Sequence, residues 1–529
     1  MARIKRIMPI ILALAILAGA LGGCGSEKTA ESPEQSPEAS DGAMPKEKAS
    51  YPSDGKFTLN CSLSSSFNPM TTTDLSNILV TQLMYDNLLE VDAAFNYTPG
   101  VVTECKSDDG SGWYFQVDTN AKFWDGTLVT AYDAAYSVQC AMRSPRFSDR
   151  LDCVIGAEAE NDDTFVININ GKNTLFPVLL NIPLIKNGSV GETIPMGSGP
   201  YVLNGEMSEL AVNTHHKNAA SLPVDKIYLT EITDIEDKIS AFEDAKIDLV
   251  TNDPMSFTNL GYGSANEKRA YATTNMHYIG FNLSGQYFSN TLFRKAMTYI
   301  IDREYIVTNI MNGMASAATL PFHPAGEYYN ENFSEIISCS VSKAEEALDK
   351  AEVKDYDNDG LREIMVTGIP IETGIDFIVC SDNVYKIQAA RSIVKSMEAL
   401  GINVTLRELP WEAYKTALTA GNYDMYYAET KLSADFNLKA MLFMGGPLNY
   451  GGISDSTLEG HISAYMSASD EERQKVANLM FKYLTDTAPI VTICFEKQQV
   501  VTHSGVITGL RPTQYNIFHG IEEWKIDLG

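Results

Sequence analysis

The chain has 529 residues, with 40 Lys and Arg against 68 Asp and Glu, and a formal charge of −28. Such an acidic surface repels phosphate backbones and argues against nucleic acid as a partner. Hydrophobic residues at 44% supply a sizeable core and exclude a disordered chain, and with only one long apolar run, at the N-terminus, a multi-span membrane protein is excluded.

That run is preceded by Arg3, Lys5 and Arg6 and extends from Ile7 to Ala20. It is short for a spanning helix and reads as a secretory leader, residues 1–23. The leader ends Leu21-Gly22-Gly23-Cys24, which is similar to a bacterial lipobox, where Cys24 becomes the lipidated first residue. The alternative is an ordinary signal peptide with a coincidental cysteine. Removing 1–23 takes away three positive charges and no negative ones, so −28 − 3 leaves −31. Residues 24–54 are rich in Ser, Glu, Pro and Ala and read as a disordered tether.

From Phe57 to Asn170 the sequence predicts strands at 113–117 and 164–169 around a helix from Thr130 to Arg143. Thr130 is the expected N-cap and Asp133 its reciprocal partner. Further on, Ser289 to Arg303 places Leu292, Phe293, Ala296, Met297, Ile300 and Ile301 on one helical stripe. Asp382 to Leu400 repeats the pattern and Gly401 stops it. A strand at 402–406, a helix from Trp411 to Ala420 stopped by Gly421, and a strand at 423–427 complete an alternating α/β order.

Eight cysteines are present and none forms CxxC, so no zinc ribbon or thioredoxin-like site is expected. The histidines include no HExxH, and His215-His216 are read as loop residues. Asp355, Asp357 and Asp359, followed by Gly360, copy the first half of a calcium loop. Position twelve is Val366, where a bidentate Glu is needed, and Glu363 falls at position nine. The plainer reading is a solvated acidic turn with no metal. No cofactor is expected.

Six segments in order resemble the family 5 extracellular solute-binding proteins, the oligopeptide- and dipeptide-binding group of ABC importers. They are 83–89 (LMYDNLL), 122–133 (KFWDGTLVTAYD), 197–201 (GSGPY), 245–250 (AKIDLV), 281–282 (FN) with 293–296 (FRKA), and 301–304 (IDRE). The resemblance covers about Phe57 to Leu510. It implies a two-lobed, periplasmic-binding-protein-like α/β fold with an extra subdomain on lobe I. Lobe I is then expected at 55–75, 190–280 and 500–529, the subdomain at 76–189, and lobe II at 281–499, with hinge crossings near Phe281 and Val500.

The resemblance also implies the function: a lipid-anchored, extracytoplasmic substrate-binding protein, not an enzyme. It would capture peptides between the lobes and deliver them to ABC permease and ATPase subunits, acting as a monomer at the bacterial membrane. The alternatives are the same fold for a nickel complex, oligosaccharide or other small solute, and a secreted hydrolase. Against the last, the sequence holds no G-x-S-x-G, zincin motif or P-loop.

For the site, Ser433-Ala434-Asp435-Phe436 is similar to the family segment whose acid holds a peptide amino group, and Trp411 matches a lining Trp. Asp435 is thus the expected charge anchor, with Phe436 beside it; a helix cap is the other reading of Asp435, and plain core that of Trp411. Glu429 and Tyr450 fall on the neighbouring loop and Tyr427 ends the strand before it, and backbone at Ser65 and Ser66 is expected to pair with ligand unless the lobe strand simply continues there. Arg residues that hold the peptide carboxylate in some relatives appear here as Leu418 and Tyr427, which leaves a cationic or differently shaped ligand open.

Overall fold

The computed structural model describes residues 53–256, 261–263 and 265–529. The expected leader, Cys24 and the tether as far as residue 52 lie outside the described residues. Within the described residues, no helix is long and apolar enough to cross a membrane, and all seven cysteines are free thiols.

Local chemistry sets the element ends. The helix Ala131–Ala141 begins where Asp133 Oδ2 accepts from the Thr130 backbone N–H at 2.9 Å. Asn290 caps Thr291–Ile300 and Asn383 caps Val384–Glu398, each accepting from backbone N–H groups of the first turn. These Asn caps start the helices two residues inside the predicted spans. Leu292, expected on the buried stripe, is 39% exposed. Trp411–Ala420 ends as predicted on Gly421, which takes the left-handed conformation at φ 66°.

Three sheets carry the architecture. Thr58–Cys61 lies parallel to Lys226–Glu231, followed antiparallel by Glu209–Val212 and Tyr201–Leu203. A second sheet, all antiparallel, orders Val102–Lys106, Gly112–Val117, Thr164–Ile169 and Val154–Ala159, with the Ala131–Ala141 helix packed against it. The largest runs Leu249–Asn252, Ile490–Thr502, Glu267–Phe281, Met425–Lys431, Ile375–Cys380, Val404–Leu409, and Ala315–Ala317 also pairs with Ile490–Thr502.

Alternating side chains of the large sheet enter two different cores. Ile279, Phe377 and Tyr427 join Phe293, Met297 and Ile393 on one face. Tyr278, Ile378 and Tyr426 join Phe322, Phe436 and Phe481 on the other. This period of two is why these strands read as nearly continuous apolar runs. A third core fills the smaller sheets and takes in Tyr271 and Val500. Each long strand therefore runs from one lobe's core into the other's. Their ladder is interrupted between Ala272 and Met276, where Thr273 Oγ1 donates to the Glu496 carbonyl at 2.8 Å and the Thr274 N–H donates to Gln514 Oε1 at 2.6 Å.

Packing explains the sequence motifs. Gly199 donates its N–H to the Met84 carbonyl at 3.0 Å, and a Cβ there would sit 2.4 Å from the Met84 carbonyl carbon. Only a glycine permits that approach. Asp248 accepts from the Thr58 N–H at 2.6 Å and fastens the first strand. Arg294 donates to the Thr487 and Ala488 carbonyls at the C-terminal end of Asp470–Thr487. Arg303 donates to the Thr492 carbonyl at 2.7 Å and locks its turn to the long strand.

Candidate ligand-binding cleft

A cavity of about 850 Å³ opens between the segment 94–113, the corner 172–178, and residues 322–329, 434–436 and 465–470. A volume of this order suits a drug-sized or short peptide ligand. Its wall is aromatic, with Phe95, Tyr97, Trp113, Phe322, Tyr328 and Phe436. Its charged groups are mainly acidic: Asp108, Asp109, Glu327, Asp435 and Asp470 against Lys106 and Lys172.

Asp435 is 2% exposed. Its Oδ2 accepts from Asn173 Nδ2 at 2.9 Å, and its Oδ1 accepts from the Ser433 hydroxyl and from the Asn437 N–H. Burial raises its carboxyl above the usual range, while Ser433 and Asn173 oppose that rise. The Asn437 contact is a local turn: the helix that follows is Lys439–Leu442, with Leu438 at its N-cap position. Phe436 takes φ 50°, and its ring meets Phe95 and Phe322 at centroid distances of 5.4 and 5.3 Å. These contacts hold the Asp435 corner rigid.

Asn173 and Thr174 join the 172–178 corner to the segments around Asp435 and Met466. Thr174 donates its N–H to the Met466 carbonyl at 2.8 Å and its hydroxyl to the Ala468 carbonyl at 2.6 Å. The fully buried Arg473 donates to Thr174 Oγ1 at 2.9 Å and lies over Tyr328 and Tyr465. His323, 2% exposed, accepts from the Ala325 N–H on Nδ1, which leaves the proton on Nε2, an atom with no hydrogen-bond partner among the described residues. Burial pushes its pKa down to about 4, so this ring is neutral at pH 7.

Glu429 and Tyr427 belong to a different cluster. His277 Nε2 lies 2.8 Å from Glu496 Oε1, and His277 Nδ1 lies 2.9 Å from the Tyr427 hydroxyl. Glu429 reaches this group at 3.9 Å from His277 and forms an ion pair with Lys386. Burial favours the neutral form of Glu496, but the His277 ring and Asn275 outweigh it and hold that carboxyl below its ordinary value. The register brings these groups together, since His277 pairs with Glu429 on one side and with Cys494 on the other.

The remaining expected residues lie elsewhere. Trp411 is 52% exposed and stacks on Tyr414, outside the cavity wall. Tyr450 packs edge-on to Tyr426, and its carbonyl accepts from the Tyr423 hydroxyl. The strand of Ser65 and Ser66 stops at Cys61, and their carbonyls accept from the buried Asn77 amide at 3.2 and 3.1 Å. Asp355, Asp357, Asp359 and Glu363 each bring one carboxylate oxygen to within 4.8 Å of the others. Glu363 enters from position nine because Lys354 and Glu363 bridge antiparallel and fold the loop back.

Sequence reasoning passed over Asn173, His277, His323, Arg473 and Glu496. Each is an isolated polar residue, and no local pattern marks its partner.

The profile of the bacterial extracellular solute-binding proteins, family 5, matches residues 96–444. The chain belongs to that family of solute-binding proteins. It is 21% identical over 464 residues to the oligopeptide-binding protein AppA of Bacillus subtilis, covering 80% of each chain. It is 22% identical over 474 residues to the periplasmic murein peptide-binding protein MppA of Escherichia coli, covering 81% of this chain and 85% of that one. A solved structure of MppA in its unliganded open form matches with a TM-score of 0.72 at 18% identity, over 90% of this chain and 98% of that one. The nickel-binding periplasmic protein of Escherichia coli is 21% identical over 453 residues, covering 79% of this chain and 85% of that one. The two-lobed α/β fold is that of the family.

Proposed function

We propose that the protein captures peptides in the cleft between its lobes and hands them to an ABC permease, acting by binding alone and without catalysis. One observation carries this reading: a buried carboxylate, Asp435, in the wall of an aromatic, acidic cavity between the subdomain and lobe II. A peptide ammonium is the ligand group that such a carboxylate favours, and aromatic walls accept varied side chains. In this reading the hinge is at the ladder interruption between Ala272 and Met276, where the long strands pass from one core to the other, rather than at the expected crossings near Phe281 and Val500. Closure there buries the peptide, and the extra contacts of the closed state supply the differential affinity that closure requires.

In the same reading the protein is exported, anchored through a lipid on Cys24 by the tether 24–54, and works as a monomer. Calorimetry with a tripeptide-to-pentapeptide mixture tests the site. Asp435→Asn is expected to weaken binding by about one to two decades with little change in melting temperature. Unchanged affinity would remove Asp435 as the anchor.

A second reading, capture of a metal complex, is favoured by His277, Glu429 and Glu496, whose donor atoms lie within 4.8 Å of one another. The Lys386 ammonium already pairs with Glu429 there, so the peptide reading stands first. A nickel–histidine titration that gives stoichiometric heat, lost in His277→Ala, would reverse that order.

A further inference from the structure

The wall of the cleft is short of cations. It carries Lys106 and Lys172 against five carboxylates, and Lys106 is held 3.0 Å from Glu104, which lies outside the wall. Asp470 Oδ1 accepts from Arg473 Nη2 at 3.1 Å. Among the described residues, the other four acids, Asp108, Asp109, Glu327 and Asp435, form no ion pair. Asp435 is also buried, and a buried carboxylate without a cation is the costly member of this set.

Aromatic rings connect two of these acids. Asp435 is followed by Phe436, whose ring centre lies 5.3 Å from that of Phe322. Phe322 lies 5.2 Å from Tyr465, and Tyr465 lies 6.3 Å from Tyr328, the chain neighbour of Glu327. All six residues line the cavity. Asp435 therefore stands at one end of an aromatic file. Glu327 stands at the other, with Asp470 joined to it through Arg473, which lies 5.7 Å from the Tyr328 ring centre. The file is no longer than a short extended peptide, at about 3.4 Å per residue. Its rings accept cations as well as apolar side chains, since the buried Arg473 guanidinium also lies 5.9 Å from Tyr465.

Two more groups in the wall call for acceptors. Trp113 Nε1 and His323 Nε2 are buried N–H donors with no hydrogen-bond partner among the described residues. An unmet buried donor is destabilising, and an acceptor oxygen relieves it. Peptide carbonyls supply such oxygens, whereas a simple polyamine has none. The wall thus offers carboxylates at two ends, rings between them and donors for carbonyl oxygen.

We propose that the cleft selects basic peptides: Asp435 takes the amino group, and Glu327 with Asp470 takes a lysine or arginine side chain at the far end of the aromatic file. The selection has an attractive and a repulsive part. A basic side chain crosses Tyr465 and Tyr328 with its stem on the rings and its charge beside Glu327. A peptide with Asp or Glu at that place meets like charge instead. Glu327 is exposed, so its contact is screened by water and salt and changes affinity a few-fold, not by decades.

The inference rests on the peptide reading of the cleft, and the experiment separates the two. The full chain is offered random tripeptide-to-pentapeptide libraries with free termini. Each fixes one residue after the first: Lys or Arg in the basic library, Gln in the neutral one and Glu in the acidic one, with no other charged side chain. Retained peptides are read by native mass spectrometry. The wild type is expected to prefer the basic library over the neutral one by about three- to tenfold, and less in high salt. Glu327→Gln should remove most of that preference, and Glu327→Lys should turn it toward the acidic library. Glu327 is exposed and makes no side-chain hydrogen bond among the described residues, so both variants keep the fold. Glu160→Gln, at an exposed acid outside the wall, should leave the preference unchanged and so separates the cleft from the overall −28 charge. Equal retention of the three libraries by the wild type, an unchanged preference in both Glu327 variants, or an equal loss in Glu160→Gln overturns the selection and leaves the peptide reading standing. Retention of spermidine but of no peptide keeps the two acidic ends and overturns the peptide reading, and retention of neither overturns both.

Discussion

Glu90→Gln should stabilise the protein above neutral pH and change little in acid. Glu90 lies half-buried on the strand Leu89–Val91. Its carboxylate accepts from the amides of Asn87 at 2.9 Å and Asn181 at 3.3 Å and has no cationic partner among the described residues. Burial therefore favours the protonated form and Asp86 adds to it; the Asn87, Asn516 and Asn181 amides oppose, and the balance raises the carboxyl from 4.5 to about 7. Between those two values the folded state binds more protons than the unfolded one, so stability falls as pH rises through the window and levels off above about 7. At about 1.4 kcal/mol per pH unit, that window corresponds to roughly 3 kcal/mol. Gln presents the same shape with no charge to desolvate; its one oxygen keeps the bond from Asn87, and the longer bond from Asn181 is given up, that amide still donating to the Leu89 carbonyl. The assay is urea denaturation of both proteins at pH 5 and pH 8, followed by fluorescence. The variant's advantage should approach about 3 kcal/mol at pH 8 and shrink to a fraction of that at pH 5. An equal difference at the two pH values, or a larger one in acid, would refute the argument that uncompensated burial controls Glu90.

His277→Ala removes a hydrogen-bond partner from the buried Glu496, which keeps only Asn275 among its side-chain hydrogen-bond donors, and should cost about 1–3 kcal/mol, seen as a loss of melting temperature. Because the Glu496 carboxyl is held below its ordinary 4.5, the stability that it contributes is present above that value and fades as pH falls through the lower one; Glu496→Gln should flatten that acid limb in a pH series of melts. Gly199→Ala forces a methyl against the Met84 backbone and should destabilise by about 1–3 kcal/mol or more, and an undiminished melting temperature would show that this approach relaxes freely. Asn173→Ala removes a donor from buried Asp435 and should cost about 1–3 kcal/mol by denaturation; no loss would mean that water replaces the amide.

Helices and strands were legible wherever a local rule set them. Gly421 stops its helix because it can take φ 66°, and the apolar stripe of 384–398 buries Ala390, Ile393 and Met397 as its spacing requires. The ends shifted where a side-chain cap competed with the stripe, as at Asn290 and Asn383. The family signature was legible for a physical reason, since Gly199, Asp248, Arg294 and Arg303 all fasten backbone and tolerate few substitutes. The candidate site was less legible. Asp435 and Phe436 do line the cavity, whereas Trp411 faces solvent and Glu429 joins a polar cluster between strands.

By itself the sequence determined which segments are helix or strand, which faces are apolar, and that the acidic chain carries an α/β body of this family. Those properties depend on periods of two and 3.6 residues and on short motifs, all within a few turns of chain. Only the tertiary structure decided that Asn173 meets Asp435 and that His277 meets Glu496. Strand register and lobe packing fix those encounters between distant segments, and neither leaves a mark on the residues next to the ones that meet.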